Sequence, residues 1–171
     1  MTFADATWLT TTLLCLALIF HAVEIFILSF RPGFQKIWSY ENLRSDLEQG
    51  LPLPNTWIRS LFSMTGFKST AALQLLAALM ALFVPHIALF SLLFVTHFLI
   101  CIRFRGTFNG GSDMMTFVVL MGILIVFGST NPDVQKFGLI YISIHTLYSY
   151  LKAGLAKMAQ NDWRSGRAIP A

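Results

Sequence analysis

The chain is organised around Arg-Phe-Arg-Gly-Thr-Phe-Asn-Gly-Gly-Ser-Asp at residues 103–113, a polar turn that follows one long apolar stretch and precedes another. A further apolar stretch begins after the break at residues 131–133 and ends near Lys157. About 20 apolar residues cross a bilayer as a helix, and two consecutive crossings return a chain to the face that it left. We therefore expect residues 109–113 and 157–163 to lie together at one membrane surface, at the open end of a helical hairpin.

The composition predicts an integral membrane protein. Of the 171 residues, 56% are hydrophobic and 12% are charged, and the mean hydropathy is +0.66. A soluble domain carries about 25% charged residues, roughly twice this fraction. The net charge of +4 lies in the segments between apolar stretches, where membrane orientation and anionic lipid account for it. The predicted partner is therefore the lipid bilayer, and nucleic acid is excluded.

We predict an all-α bundle in one membrane domain over residues 1–171, with five spans at residues 7–30, 65–84, 86–104, 114–130 and 137–158. Pro85 and His86 divide the long uncharged run of residues 69–102 into two helices. Residues 31–64 form an interfacial connection, in which apolar residues at helical spacing predict an amphipathic helix. Nearly all lysines and arginines then share one side, which predicts an outer N-terminus and a cytoplasmic C-terminus.

Ionisable residues within the spans are the first candidates for function. His21 and Glu24 are three residues apart on the first span, and His97 lies within the third. Such groups are costly in a bilayer, so a functional role is the default, although a packing hydrogen bond is the alternative. No HxxH or HExxH spacing occurs, so these three residues are weak metal ligands and no metal is expected. Cys15 and Cys101 are interpreted as small hydrophobic residues.

The last span carries a polar stripe. Tyr141, His145, Tyr148 and Lys152 are spaced four, three and four residues apart, which places them on one helical face. A polar stripe on a membrane helix is expected to face the bundle interior or a water-filled cavity. The alternative is that the tyrosines pack, His145 makes one hydrogen bond and the lysines reach towards the interface.

Two motifs at the ends of the hairpin resemble a known family. Phe-Asn-Gly-Gly-Ser-Asp-Met-Met at residues 108–115 resembles the Asn-Gly-Gly-Asp helix start of HTTM-domain proteins, the membrane domain related to vitamin K-dependent gamma-carboxylases. The segment from Tyr150 to Lys157, followed by Asp162-Trp163-Arg164-Ser165-Gly166-Arg167-Ala168, is similar to the family pattern Tyr-x-x-Ala/Ser-Gly-x-x-Lys…Trp-x-x-Gly-x-Ala. DoxX and MauE-type membrane proteins are similar in size and in a Gly-x-x-Lys helix end.

The resemblance implies a quinone-linked redox or carboxylase-like enzyme. Lys157 matches the family's lysine base, which deprotonates a reduced quinone, and Asn109 lies near the matching quinone-site turn. Where the carboxylases have a histidine in that turn, this chain has Gly-Gly-Ser. The remaining candidates are Lys152 as an alternative base, His145 and Tyr148 as hydrogen-bonding or proton-relay groups, Asp113 or Asp162 to orient the lysine, and Tyr141, Trp163 and Arg105 for cofactor binding.

A non-catalytic role is the alternative. Small bacterial relatives of this kind resemble accessory membrane proteins for peptide maturation or export, such as the sporulation-delaying protein B group. In that case the polar stripe packs against another membrane protein or a peptide substrate.

Overall fold

The computed structural model describes residues 2–104 and 110–167, and every regular element in these residues is a helix. The helices are α1 (Phe3–Leu28), α2 (Pro32–Ile37), α3 (Tyr40–Gly50), α4 (Asn55–Phe62), α5 (Met64–Phe83), α6 (Ile87–Arg103), α7 (Gly110–Gly128), α8 (Pro132–Ala159) and α9 (Asn161–Arg164). The predicted all-α class is confirmed.

Side-chain caps at the N-termini explain where several helices begin. Thr2 and Asp5 form a reciprocal capping box at α1. Ser63 accepts from the backbone N–H of Gly66 at α5. Asn131 caps α8, whose first residue is a proline, a residue suited to that position because its missing N–H has no partner there. His86 caps α6, which explains why the long apolar run divides after Pro85.

Within the described residues, three helices are long and apolar enough to cross a membrane, namely α1, α5 and α7, which is the pattern of an integral membrane protein. Helix α6 is also apolar but has 17 residues, and α8 does not reach the same hydropathy. The predicted spans agree with five of the helices in position. Their number as membrane crossings stays a prediction.

The connection at residues 31–64 differs from the predicted single amphipathic helix. It consists of α2, α3 and α4, because Ser39 starts a new helix and Pro54 precedes another. Leu43 and Leu47 of α3 pack with Ile58 and Phe62 of α4 in a small apolar core. The connection therefore folds against itself and against the ends of the long helices.

Neighbouring long helices pack in the order α1, α5, α6, α7 and α8. The main core lies between α1, α5, α6 and α7, and Cys15 belongs to it, as predicted. Helix α8 contacts α7 at a close crossing, where Gly138 is the one buried residue of α8. A Cβ atom added at Gly138 would come within 2.6 Å of the Gly122 carbonyl oxygen.

Arg103 ties the end of α6 to the connection. Its side chain is 1% exposed, and its guanidinium donates to the carbonyl oxygens of Phe62 and Trp38. It also lies 4.5 Å above the ring of Phe67. One buried cation thus holds α2, α4, α5 and α6 together at the end of the bundle that carries the connection.

Candidate functional site

Four helices bring five polar side chains together inside the bundle. His21 comes from α1, Gln74 from α5, His97 and Cys101 from α6, and Asp113 from the first turn of α7. We refer to these five residues as the polar cluster. Gln74 and His97 are fully enclosed and Asp113 is 8% exposed. In a membrane protein such a concentration of ionisable groups is a site for function by default.

Short distances connect the members of the polar cluster. Gln74 Nε2 lies 3.1 Å from His21 Nδ1, and the rings of His21 and His97 meet edge to face with centroids 5.3 Å apart. His97 Nε2 lies 3.4 Å from the carbonyl oxygen of Asp113 and 3.7 Å from Cys101 Sγ. The side-chain ligand atoms of His97, Cys101 and Asp113 all lie within 4.8 Å of one another.

The polar cluster lies near the end of the bundle that carries the connection. His97 is six residues before the end of α6, about 9 Å along the axis, and Asp113 is three residues after the start of α7, about 5 Å. The ring of Phe117 covers His97 with a centroid separation of 4.8 Å. His97 and Asp113 are thus one to two helical turns from the ends of α6 and α7, and the ring of Phe117 covers His97.

Two buried atoms in the polar cluster have no partner in the described part of the chain, His97 Nδ1 and Gln74 Oε1. Buried polar atoms are nearly always paired, and leaving one unpaired costs about 1–3 kcal/mol. A site with two such atoms has hydrogen-bonding capacity that a ligand could use.

The structure corrects two sequence predictions about this region. Cys101 is not simply a small hydrophobic residue, since its thiol is in contact with His97. Glu24 does not accompany His21 into the bundle, because its side chain is exposed while that of His21 meets Gln74 and His97. Of the weak metal candidates His21, Glu24 and His97, the two histidines come together and Glu24 does not.

The predicted interior position of the stripe on α8 is wrong. His145, Tyr148 and Lys152 are exposed and Tyr141 is partly buried. Tyr141 and His145 contact each other, with centroids 4.4 Å apart. The physical reason is that α7 is the one long helix that α8 contacts extensively, and Gly138 is the one residue of α8 that becomes buried, so the stripe after Tyr141 stays exposed.

The hairpin of α7 and α8 is formed, whereas the predicted meeting of residues 109–113 with residues 157–163 stays a prediction. Ser149 of α8 donates to Met115 Sδ of α7 at 3.4 Å, so Lys152 is level with the start of α7 and Lys157 lies beyond it. Lys157 Nζ is 4.6 Å above the ring of Trp163. The predictions for Arg105 and Asn109 concern residues outside the described ranges.

Asp113 and Asp162 do not orient Lys157. Asp113 belongs to the polar cluster and lies next to His97 and Cys101. Asp162 is exposed and lies 3.8 Å from Arg167 Nε. The lysine end of α8 and the polar cluster are therefore separate candidate sites, on opposite sides of α7.

An apolar cavity of about 410 Å³ opens beside the polar cluster. Its lining consists of Phe98, Cys101 and Ile102 of α6, Phe117 of α7, and Asp46, Leu47, Gly50 and Leu51 in and after α3. The ring of Phe117 thus has the cavity next to it while it also contacts His97. A flat apolar molecule in this cavity lies against a thiol and an aromatic ring that both touch His97.

In comparisons with known proteins, no family model, no curated protein and no solved structure matches the chain. The resemblance to HTTM-domain proteins stays a prediction.

Sequence reasoning missed Gln74 and Cys101. A signal for Cys101 was present, because it follows His97 by four residues and so shares its helical face. Gln74 is the only amide in the apolar run of residues 69–102, and a polar group in that setting needs an interior partner. Neither signal identifies the partner, which comes from another helix.

Proposed function

We propose that the protein is a membrane-embedded redox enzyme that binds a lipid-soluble quinone in the cavity beside Cys101. The observation that carries the proposal is the contact between this apolar cavity and the buried polar cluster. A quinone is a flat ring on an apolar tail, so it fits a cavity with aromatic walls and reaches it from the hydrocarbon core. When bound, it would supply the transfer of electrons together with protons.

The residues of the polar cluster support the proton half of this chemistry. His97 has one ring nitrogen beside Cys101 and the other without a partner in the described chain. His21 lies edge to face against it and is held by Gln74. Histidine accepts and releases protons near neutral pH, and neighbouring imidazoles pass them on. His97 then takes or gives the proton nearest the cavity, and His21 relays it.

The proposal is tested by filling the cavity. Gly50 lines it and has open space around its Cβ position. We expect Gly50→Phe to lower the quinone extracted per chain, by at least about tenfold, which corresponds to about 1.4 kcal/mol of lost affinity. The measurement is mass spectrometry of quinones extracted from protein purified in mild detergent.

Gly33→Phe is the matched control, because Gly33 also has open space around it but is in α2 and does not line the cavity. It should retain wild-type quinone. Equal quinone content in both variants would contradict a site in this cavity.

A second candidate places the quinone at α8, with Lys157 or Lys152 as the base. The observation in its favour is that the stripe faces the lipid from which a quinone would arrive, and that Lys157 is held over Trp163. This is the site that the HTTM resemblance implies. A lysine acts as a base when its surroundings lower its pKa towards 7, which requires removal from water.

The same measurement separates the two candidates. If the quinone binds in the cavity, Lys157→Ala and Lys152→Ala should keep wild-type quinone content while Gly50→Phe loses it. The reverse result would move the site to α8. Absence of quinone from every preparation, together with a stoichiometric partner protein, would instead favour the accessory role in peptide maturation or export.

For the membrane arrangement we propose the bacterial cytoplasmic membrane, with the N-terminus outside and the C-terminus inside. The support is the concentration of basic residues in the connection at residues 31–64 and after α8. In this arrangement the polar cluster and its cavity lie in the cytoplasmic half of the bilayer.

A further inference from the structure

We propose that His97, Cys101 and Asp113 bind a single transition-metal ion of the zinc type. The proposal goes beyond the quinone function and does not rest on it, because the ligands and their arrangement stand whether or not the cavity takes a quinone. Of the three proposed ligands, the sequence pattern had offered only His97 as a weak metal candidate.

The positions of the three ligand atoms carry the proposal. His97 and Cys101 are four residues apart on α6 and therefore on one face. Asp113 approaches from the first turn of α7, and the three ligand atoms lie within 4.8 Å of one another. Around a tetrahedral zinc ion, bonds of about 2.0–2.3 Å put ligand atoms about 3.3–3.8 Å apart. The His97 Nε2 to Cys101 Sγ distance of 3.7 Å already meets this spacing, and small side-chain rotations bring in the carboxylate.

The charge of Asp113 provides an independent reason for a cation. Asp113 as a residue is 8% exposed, and its side chain lies beside His97 and Cys101 of α6. Among the described residues no lysine, arginine or histidine forms an ion pair with it. A carboxylate that is removed from water requires a paired charge or a bound metal. A divalent ion among these three ligands meets that requirement.

The chemistry of the ligands selects the class of metal. One sulfur, one imidazole nitrogen and one carboxylate oxygen suit zinc and its neighbours, whereas magnesium and calcium prefer oxygen ligands alone. Three protein ligands leave a fourth position open, which is the pattern of catalytic rather than structural zinc sites. The ring of His21 is a further imidazole next to this ligand set, in contact with the ring of His97.

Gln74 is placed to orient His21 and is not itself one of the proposed metal ligands. It is fully buried, it bonds one ring nitrogen of His21, and its own carbonyl oxygen has no partner in the described chain. Hydrogen bonds of this kind fix the orientation of imidazoles around a metal. The polar cluster thus contains three ligands, a neighbouring imidazole and a group that positions it.

The test is a titration of the purified, chelator-treated protein in detergent with cobalt(II) alone. Cobalt replaces zinc in such sites, and thiolate binding to it gives a charge-transfer absorption in the near ultraviolet. We expect one cobalt per chain with this absorption. Cys101→Ala should abolish the absorption, and Asp113→Asn should weaken cobalt binding by at least about tenfold, the lower bound for changes even in groups that only support the ligands.

Cys15→Ala is the matched control, because Cys15 is a buried cysteine of α1 in the apolar core. It should leave both the absorption and the stoichiometry unchanged. Circular dichroism and a single chromatographic peak identify variants that remain folded. If Cys101→Ala does not fold, the more conservative Cys101→Ser replaces it in the test. Failure of the wild type to bind cobalt, or binding that survives in folded Cys101 and Asp113 variants, would overturn the proposal.

Discussion

Arg103→Met is expected to lower the free energy of unfolding by about 3–5 kcal/mol, the range for breaking a buried charged interaction. The guanidinium donates to two carbonyl oxygens, those of Phe62 and Trp38, and its removal leaves both buried without a donor. It also removes the contact with the ring of Phe67. The measurement is chemical unfolding in detergent, followed by circular dichroism.

Arg103→Lys should recover only part of this loss, because an ammonium group cannot reproduce the fork of a guanidinium between two carbonyls. Arg44→Gln is the control, since Arg44 is an exposed arginine paired with Glu48 on the same helix, and its unfolding midpoint should match the wild type. If Arg103→Met were as stable as Arg44→Gln, the contacts of Arg103 would not be what holds α6 against the connection.

Gly138→Ala is expected to destabilise the packing of α8 on α7 by about 1–3 kcal/mol, the usual cost of overpacking a tight contact. The new methyl group would lie 2.6 Å from the Gly122 carbonyl oxygen and 2.8 Å from Val126 Cγ2. A backbone atom cannot rotate away as a side chain does, so the two helices must separate. Proteolytic susceptibility of the α7–α8 turn and thermal unfolding in detergent measure the effect.

Gly154→Ala is the matched control on the same helix, because its added methyl group meets nothing within 4 Å. Alanine is also the better helix former by about 1 kcal/mol. This variant should therefore be as stable as the wild type or more stable. Similar destabilisation of both variants would show that the close crossing is not what holds α8.

The helices were predictable from the sequence to within a few residues. The predicted span of 65–84 corresponds to α5 at Met64–Phe83, and that of 86–104 to α6 at Ile87–Arg103. Apolar length and the Pro85-His86 break determine these elements locally. The connection at residues 31–64 was harder, because the break at Ser39 depends on a side-chain cap rather than on hydrophobic spacing.

The candidate site was predictable only in part. A histidine in a membrane span is visible in the sequence, so His21 and His97 were identified, but their contact depends on how α1, α5 and α6 pack. The stripe on α8 was given an interior position because it is polar. That α8 packs onto the bundle mainly through α7, with only Gly138 buried, is not apparent from the stripe itself.

The origin of the polar cluster in four different helices has a consequence for how the protein is made. Synthesis proceeds from the N-terminus, so α1 enters the membrane with His21 before Gln74 has been translated. His97 and Asp113 follow later still, and the ligand set is complete only once α7 has been inserted. During synthesis, the polar side chain of His21 is therefore in lipid or in the insertion machinery before its partners are present. Any product truncated before α7 lacks the site.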